Sequence, residues 1–228
     1  MDRLKIRSLY DGSHTRVWEL LERYAYPWEI LDSLDSWIRE AGPRLNRQEF
    51  EEIAPQVWVA RDAVVADSAV LLGPCIVDHG AQVRQGAFLR GSAVIGQNAV
   101  VGNSTEVKNA LLFDGVQIPH FNYVGDSVLG YKAHHGAGAV CSNVKSDRSE
   151  VTVLIDGEKL STRRKKFGAA VGDGVEVGCN SVLCPGTVLG RNSTVYPLSR
   201  VRGFVAENCI FKDSGHIVAK QTKESEWD

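Results

Sequence analysis

The chain has 228 residues, a formal charge of −2, 43% hydrophobic residues and 22 glycines. That length buries a real core without staples, and the near-neutral charge excludes a global basic field for nucleic acid or an anionic membrane. No apolar run is long enough to span a bilayer and no leader-like segment follows Met1, so a cytoplasmic protein is expected. The five cysteines, Cys75, Cys141, Cys179, Cys184 and Cys209, are odd in number and form no C-x-x-C pair. Neither a disulfide framework nor a structural zinc site is therefore expected.

Residues 1–52 read as a helical cap. Val17, Leu20, Leu21 and Tyr24 fall at helical spacing. After Pro27, the residues Trp28, Ile30, Leu31, Leu34, Trp37 and Ile38 form a second apolar stripe, which Gly42-Pro43 stops. A short helical hairpin over the first coil of a β-rich body would shield an exposed end from pairing with other chains.

From Val59 the sequence falls into sixes. Aliphatic residues recur at Val59, Val65, Leu71, Val77, Val83, Leu89, Ile95, Val101 and Val107. Four residues after each of the first eight stands a small one: Ala63, Ala69, Cys75, Ala81, Ala87, Ala93, Ala99 and Thr105. Each unit is a short strand and a turn, and three units make one triangular coil. The aliphatic side chain points inward and stacks on the residue eighteen further on. A single coil cannot bury its own face, so coils must stack. The spacing predicts an all-β fold, a left-handed parallel β-helix over 53–212.

Past Val107 the register loosens, and Leu112, Ile118 and Val124 continue it after a step of five. It resumes at Val171, Val177, Leu183, Leu189, Val195 and Val201, with Val175, Ser181, Thr187, Ser193, Ser199 and Val205 as short partners. Between the tracts, an insert of about 143–168 carries an alternating segment centred on Asp156-Gly157, a hairpin-turn signal. It is expected to protrude as a loop ending in Arg163-Arg164-Lys165-Lys166, a run that is as readily a solvated turn as a functional one. Residues 213–228 read as a C-terminal tail, polar and mobile from Lys220 onward.

A break in a regular repeat is where function is sought. The break holds Glu106-Val107-Lys108, then Ile118-Pro119-His120-Phe121-Asn122-Tyr123-Val124-Gly125-Asp126, then Gly136-Ala137-Gly138 and Asn143. Arg90 and Lys108 each follow an inward aliphatic residue and so point out. They are one coil apart and should stack about one strand spacing, 4.8 Å, from each other. Two stacked cations repel, and an anion between them relieves the repulsion.

The stretch VGNSTEVKNALLFDGVQIPHFNYVGDSVLG, with GAGAV and the exit RRKKFGAAVGDGVEVG, resembles the hexapeptide-repeat acyltransferases. It is similar to the acetyltransferase half of the bifunctional bacterial enzyme that makes UDP-N-acetylglucosamine. It is more similar still to the C-terminal domains of sugar-1-phosphate nucleotidyltransferases. The resemblance covers roughly residues 57–210 and implies an acetyl-CoA-dependent N-acetyltransferase acting on an amino-sugar 1-phosphate such as glucosamine 1-phosphate, working as a homotrimer with sites between subunits. It implies His120 as general base and Asn143 beside the reacting centre. It implies Arg90, Lys108, Tyr123, His134 and Lys166 at the sugar phosphate, and Ala137 and Cys179 along the acetyl-CoA arm. A base is needed because a protonated amine is not a nucleophile. Taken alone, a histidine such as His120 is more often structural.

The chain departs from the bacterial pattern. His134 replaces an asparagine that touches the sugar, Cys179 replaces a serine or threonine, and Ser149 and Thr152 stand where some relatives carry lysines. These changes keep open an alternative, a non-catalytic sugar-nucleotide-binding or regulatory β-helix; O-acyl transfer is a third reading. The segment before the β-helix shows no glycine-rich pyrophosphate loop, so nucleotidyl transfer by this chain alone is not expected. No metal is expected either. The zinc-binding β-helix enzymes use two histidines five apart, whereas His134 and His135 are adjacent and face opposite ways.

Overall fold

The computed structural model describes residues 1–212 and 216–221. Its body is the left-handed parallel β-helix that the hexapeptides predict. One face holds Val57–Ala60, Cys75–Val77, the second halves of Phe88–Ile95, Glu106–Leu112 and Tyr123–Leu129, then Ala169–Val171, Thr187–Leu189 and Phe204–Val205. The second holds Val64–Val65, Gln82–Val83, Val100–Asn103, Gln117–His120, His134–His135, Glu176–Val177, Thr194–Val195 and Cys209–Phe211. The third holds Val70–Leu72, the first halves of the three long strands, Val140–Cys141, Val182–Leu183 and Arg200–Val201.

The inward column is the one the sequence predicts. Val59 pairs with Val77, Leu71 with Leu89 and Val83 with Val101, each eighteen residues on. At the break the pairs Ile95↔Leu112 and Val107↔Val124 are seventeen apart. The cause lies at one corner. Gly91 and Ser92 separate Arg90 from Ala93, but Asn109 alone separates Lys108 from Ala110, and Asp126 alone separates Gly125 from Ser127. Asn109 and Asp126 have φ of +46° and +45°, a conformation short polar side chains tolerate, so each turns the corner as a single residue.

The column also continues beyond the residues that the sixes mark. Leu129, His135 and Cys141 are inward, fully buried positions. Val205, expected as a short partner, sits in the inward column opposite Leu189.

The first face differs from the other two. Its outward residues Trp58, Ile76, Val94, Leu111, Val128, Ala170 and Val188 stack in register and are all buried. The N-terminal segment packs along this face, and the insert hairpin meets its last strands. The N-terminal segment is helical, as expected, in short pieces: Ile6–Leu9, Trp18–Leu21, a 3-10 helix at Pro27–Asp32, and Leu34–Ala41. These pieces lie along the β-helix rather than over its first coil. Asp173 N donates to Leu9 O, Asp114 N donates to His14 O, and Arg16 pairs with Asp78 at 2.6 Å, a path from the last coils back to the first. Leu34–Ala41 then packs on Phe88–Ile95. The first coil is closed instead by Phe50–Ala54, antiparallel to Val57–Ala60. At the far end Ile217–Ala219 pairs antiparallel with Cys209–Phe211. Each end thus receives one added antiparallel strand, on the first face at the start and on the second face at the finish. The expected mobility of the tail beyond residue 221 falls outside the described residues.

The insert leaves at Asn143 and returns at Gly168. Thr152–Ile155 and Glu158–Ser161 form the hairpin, with Asp156 at φ +50° and Gly157 at φ +83° in the turn. Its alternating Val151, Val153 and Ile155 are buried, so the hairpin folds back onto Thr187–Leu189 and Phe204–Val205 instead of standing into solvent. An ion pair between Asp156 and Arg3 fastens its tip to the N-terminal segment.

Candidate active site

The third face carries the cations. Arg90 is the register partner of Lys108, as the eighteen-residue spacing predicts, and Lys108 is the partner of Gly125. Burial lowers the Lys108 pKa first, the neighbouring Lys166 and Arg90 lower it further, and Asp126 opposes them. The insert therefore brings Lys166 to Lys108, although the two lie far apart in sequence.

Carboxylates share this pocket, which spacing alone does not show. Arg90 Nε donates to Glu106 Oε1 at 2.7 Å, while its guanidinium carbon lies 5.8 Å from the Phe88 ring centroid. Asp126, 3% exposed, accepts from Asn143 Nδ2 at 2.5 Å and Asn109 Nδ2 at 2.8 Å. Part of the repulsion between stacked cations is thus relieved by the protein's own anions. Arg90, Lys108 and Lys166 against Glu106 and Asp126 still leave the pocket positive.

Tyr123 and Asn143 meet over Gly125. A Cβ at Gly125 would stand 2.5 Å from Tyr123 Oη and 2.8 Å from Asn143 Nδ2, so only glycine lets them converge. Burial, then Glu106 and Asp126, raise the Tyr123 pKa, and the phenol stays a neutral donor at working pH.

His120 stands around the corner, at the end of the second face. The corner is fixed by the buried Asn122. Its Oδ1 accepts from His120 N at 3.1 Å, and its Nδ2 donates to Gly136 O at 2.8 Å and Ala139 O at 3.2 Å. The His120 ring is exposed and takes no hydrogen bond from the described residues. Phe121 beside it is 62% exposed at φ +51°, a conformation bulky residues rarely adopt.

Ala137 and Cys179 follow His120 along the same corner. Gly138 N donates to His120 O, Asn180 N donates to Ala137 O, and a Cβ at Gly136 would meet Cys179 Sγ. Leu198, 80% exposed at φ +61°, continues the line. One corner therefore carries His120, Ala137 and Cys179, and the adjoining face carries Arg90, Lys108, Tyr123, Asn143 and Lys166.

His134 is not with either group. It lies outward on the second face, where Nδ1 is 2.7 Å from Glu176 Oε2. Within one chain it does not reach the pocket of the third face, because its strand turns through a corner before that face begins.

Glu106, Asp126 and Arg164 are pocket residues that sequence reasoning does not assign. Glu106 and Asp126 stand within the broken stretch, but neither shows its partner locally. Arg164 is visible in the sequence only as one member of a basic run; its side chain is 10% exposed, so the run is not simply a solvated turn.

Residues 71–205 match the family model described as the GMPPB C-terminal domain. The chain belongs to this family. Over 107 residues it is 37% identical to a bifunctional sugar-1-phosphate nucleotidylyltransferase/acetyltransferase of Sulfurisphaera tokodaii, covering 47% of this chain and 27% of that protein. Over 117 residues it is 33% identical to the bifunctional protein GlmU of Methanococcus vannielii, covering 51% of this chain and 28% of that protein. The match thus spans little more than a quarter of either curated relative. Among solved structures, the acetyltransferase domain of PglB from Neisseria gonorrhoeae aligns at 16% identity and a TM-score of 0.36, over 67% of this chain and 55% of that one.

Proposed function

We propose that this GMPPB C-terminal-domain protein is an acetyl-CoA-dependent N-acetyltransferase acting on an amino-sugar 1-phosphate. The observation that carries this reading is the adjacency of two groups. His120, Ala137 and Cys179 line one corner, and the Arg90–Lys108–Lys166 pocket opens on the face that begins three residues after His120.

Arg90, Lys108 and Lys166 take the phosphate, arginine as a planar fork and the lysines as point charges. Tyr123 and Asn143 hold the sugar and place its amine toward the corner. Acetyl-CoA lies along Ala137 and Cys179. The amine nitrogen attacks the thioester carbonyl carbon, His120 accepts the proton that nitrogen sheds, and the carbon–sulfur bond breaks to release coenzyme A.

The site on a single chain is open. His120, Phe121, Cys179 and Leu198 are exposed on one edge, which suits a homotrimer in which a neighbouring subunit closes the cleft. His134 with Glu176 would then serve a neighbour's site rather than its own. No described helix is long and apolar enough to cross a membrane, and we place the reaction in the cytoplasm.

The test is a thiol-release assay with acetyl-CoA over a panel of amino-sugar 1-phosphates. Turnover of one acceptor, lost in a folded His120→Ala variant, supports the reading. Binding of a sugar nucleotide without turnover, unchanged by His120→Ala, would establish the regulatory alternative.

A further inference from the structure

Arg164, a residue of the insert, touches both the N-terminal segment and the pocket. Its side chain is 10% exposed. Nη1 lies 2.5 Å from Asp32 Oδ1 of the N-terminal segment, as an ion pair without hydrogen-bond alignment. Nη2 lies 3.9 Å from Asp126 Oδ1. Nε donates to the Lys166 carbonyl at 3.1 Å.

Both ends of this linkage reach pocket residues. Asp126 grips Asn143 through Oδ2 and Asn109 through Oδ1, and its backbone carbonyl accepts from Gly168 N where the insert rejoins the β-helix. The Lys166 carbonyl fixes the residue whose ammonium faces Lys108. Phe167 N donates to Asn143 O, and Phe167 packs on Trp28 with centroids 5.4 Å apart. A buried carboxylate between two neutral amides needs counter-charge, and Arg164 supplies it from the insert side at 3.9 Å, with Lys108 as the other nearby cation.

We propose that Arg164 is a positioning residue: anchored by Asp32, it holds Asn143 through Asp126 and Lys166 through its carbonyl, making the N-terminal segment part of the pocket. A guanidinium is suited to this because one delocalised charge faces two carboxylates while its Nε–H donates to a carbonyl. A lysine in its place keeps the charge but not the geometry. Asp32 is largely exposed, so its removal loosens the anchor without opening the core.

The experiment compares the full chain with Arg164→Gln, Arg164→Lys and Asp32→Asn by nitrogen–proton correlation spectra of the Asn143 side-chain amide. The same samples are titrated with inorganic phosphate and assayed with acetyl-CoA and glucosamine 1-phosphate. Arg164→Gln should displace the Asn143 amide signals, weaken phosphate binding and lower kcat/KM on the order of tenfold. Arg164→Lys should recover part of each effect, and Asp32→Asn should give a smaller displacement of the same signals. Should Arg164→Gln fail to fold, the Asp32→Asn spectrum decides. Unmoved Asn143 signals in the folded variants would overturn the proposal whatever the activity. The kinetic arm rests on the acyltransfer reading. A wild-type chain without turnover, whose Asn143 signals still shift in the variants, would refute that reading and leave the positioning role standing.

Discussion

The first and third faces of this β-helix are built from the same coils and share one inward column, yet they do opposite things. On the first, Trp58, Ile76, Val94, Leu111 and Val128 point outward and are buried under the N-terminal segment. On the third, the same rungs present Arg90, Lys108 and Tyr123, all partly exposed. The inward residues specify the scaffold, and the outward column decides whether a face packs or binds.

The comparison breaks most sharply by exchanging the character of the two outward columns. Leu111→Asp places an unpaired charge under the N-terminal segment and should cost on the order of 4 kcal/mol. Val182→Asp on the third face, where the side chain is 37% exposed, should cost less than about 0.5 kcal/mol. Denaturant melts of both variants check this, and equal losses would mean that the first face is not sealed.

The pocket itself should respond next. Lys108→Gln removes a half-buried cation at the proposed phosphate position and should raise KM for the acceptor about tenfold, with kcat little changed. A control, Arg84→Gln on the second face, should leave KM within about twofold of wild type. Steady-state kinetics separate the two.

The shared inward column carries one oddity that sharpens its role. His135 is fully buried with neither ring nitrogen partnered among the described residues, and burial, then His134, pushes its pKa down to about 3. The unfolded chain takes up a proton near pH 6.5, but the folded chain does not until about pH 3. The contribution of His135 to stability is therefore present above pH 6.5 and is lost as pH drops through this window. His135→Val should flatten the fall, which thermal melts between pH 7 and pH 4 would register.

The inward column is legible because stacking leaves an aliphatic every six residues. The steps of five are visible as irregularities, but their cause is not. Asn109 and Asp126 turn a corner alone only by adopting positive φ, and side-chain type merely permits that. His135 escapes the sequence pattern because a polar residue at an inward position breaks the very repeat being sought. The buried first face has a readable signal in the near-continuous apolar runs Trp58-Val59-Ala60, Cys75-Ile76-Val77 and Ala93-Val94-Ile95, a mark of strands covered on both sides.

The candidate site is legible where register defines it, as in the Arg90–Lys108 stack. His120, Ala137 and Cys179 come from resemblance, and the structure sets them along one corner. The contacts of Arg164 with Asp32 and Asp126 depend on how the insert folds back, which no local pattern encodes.

The central claim is that the third face holds a sugar phosphate beside the corner that carries His120. Calorimetric titration of glucosamine 1-phosphate into the wild-type chain, Lys108→Gln and His120→Ala measures it directly. Binding that weakens about tenfold in Lys108→Gln and persists in His120→Ala is the predicted result. Equal affinity in wild type and Lys108→Gln, or no binding of any amino-sugar phosphate, would contradict it.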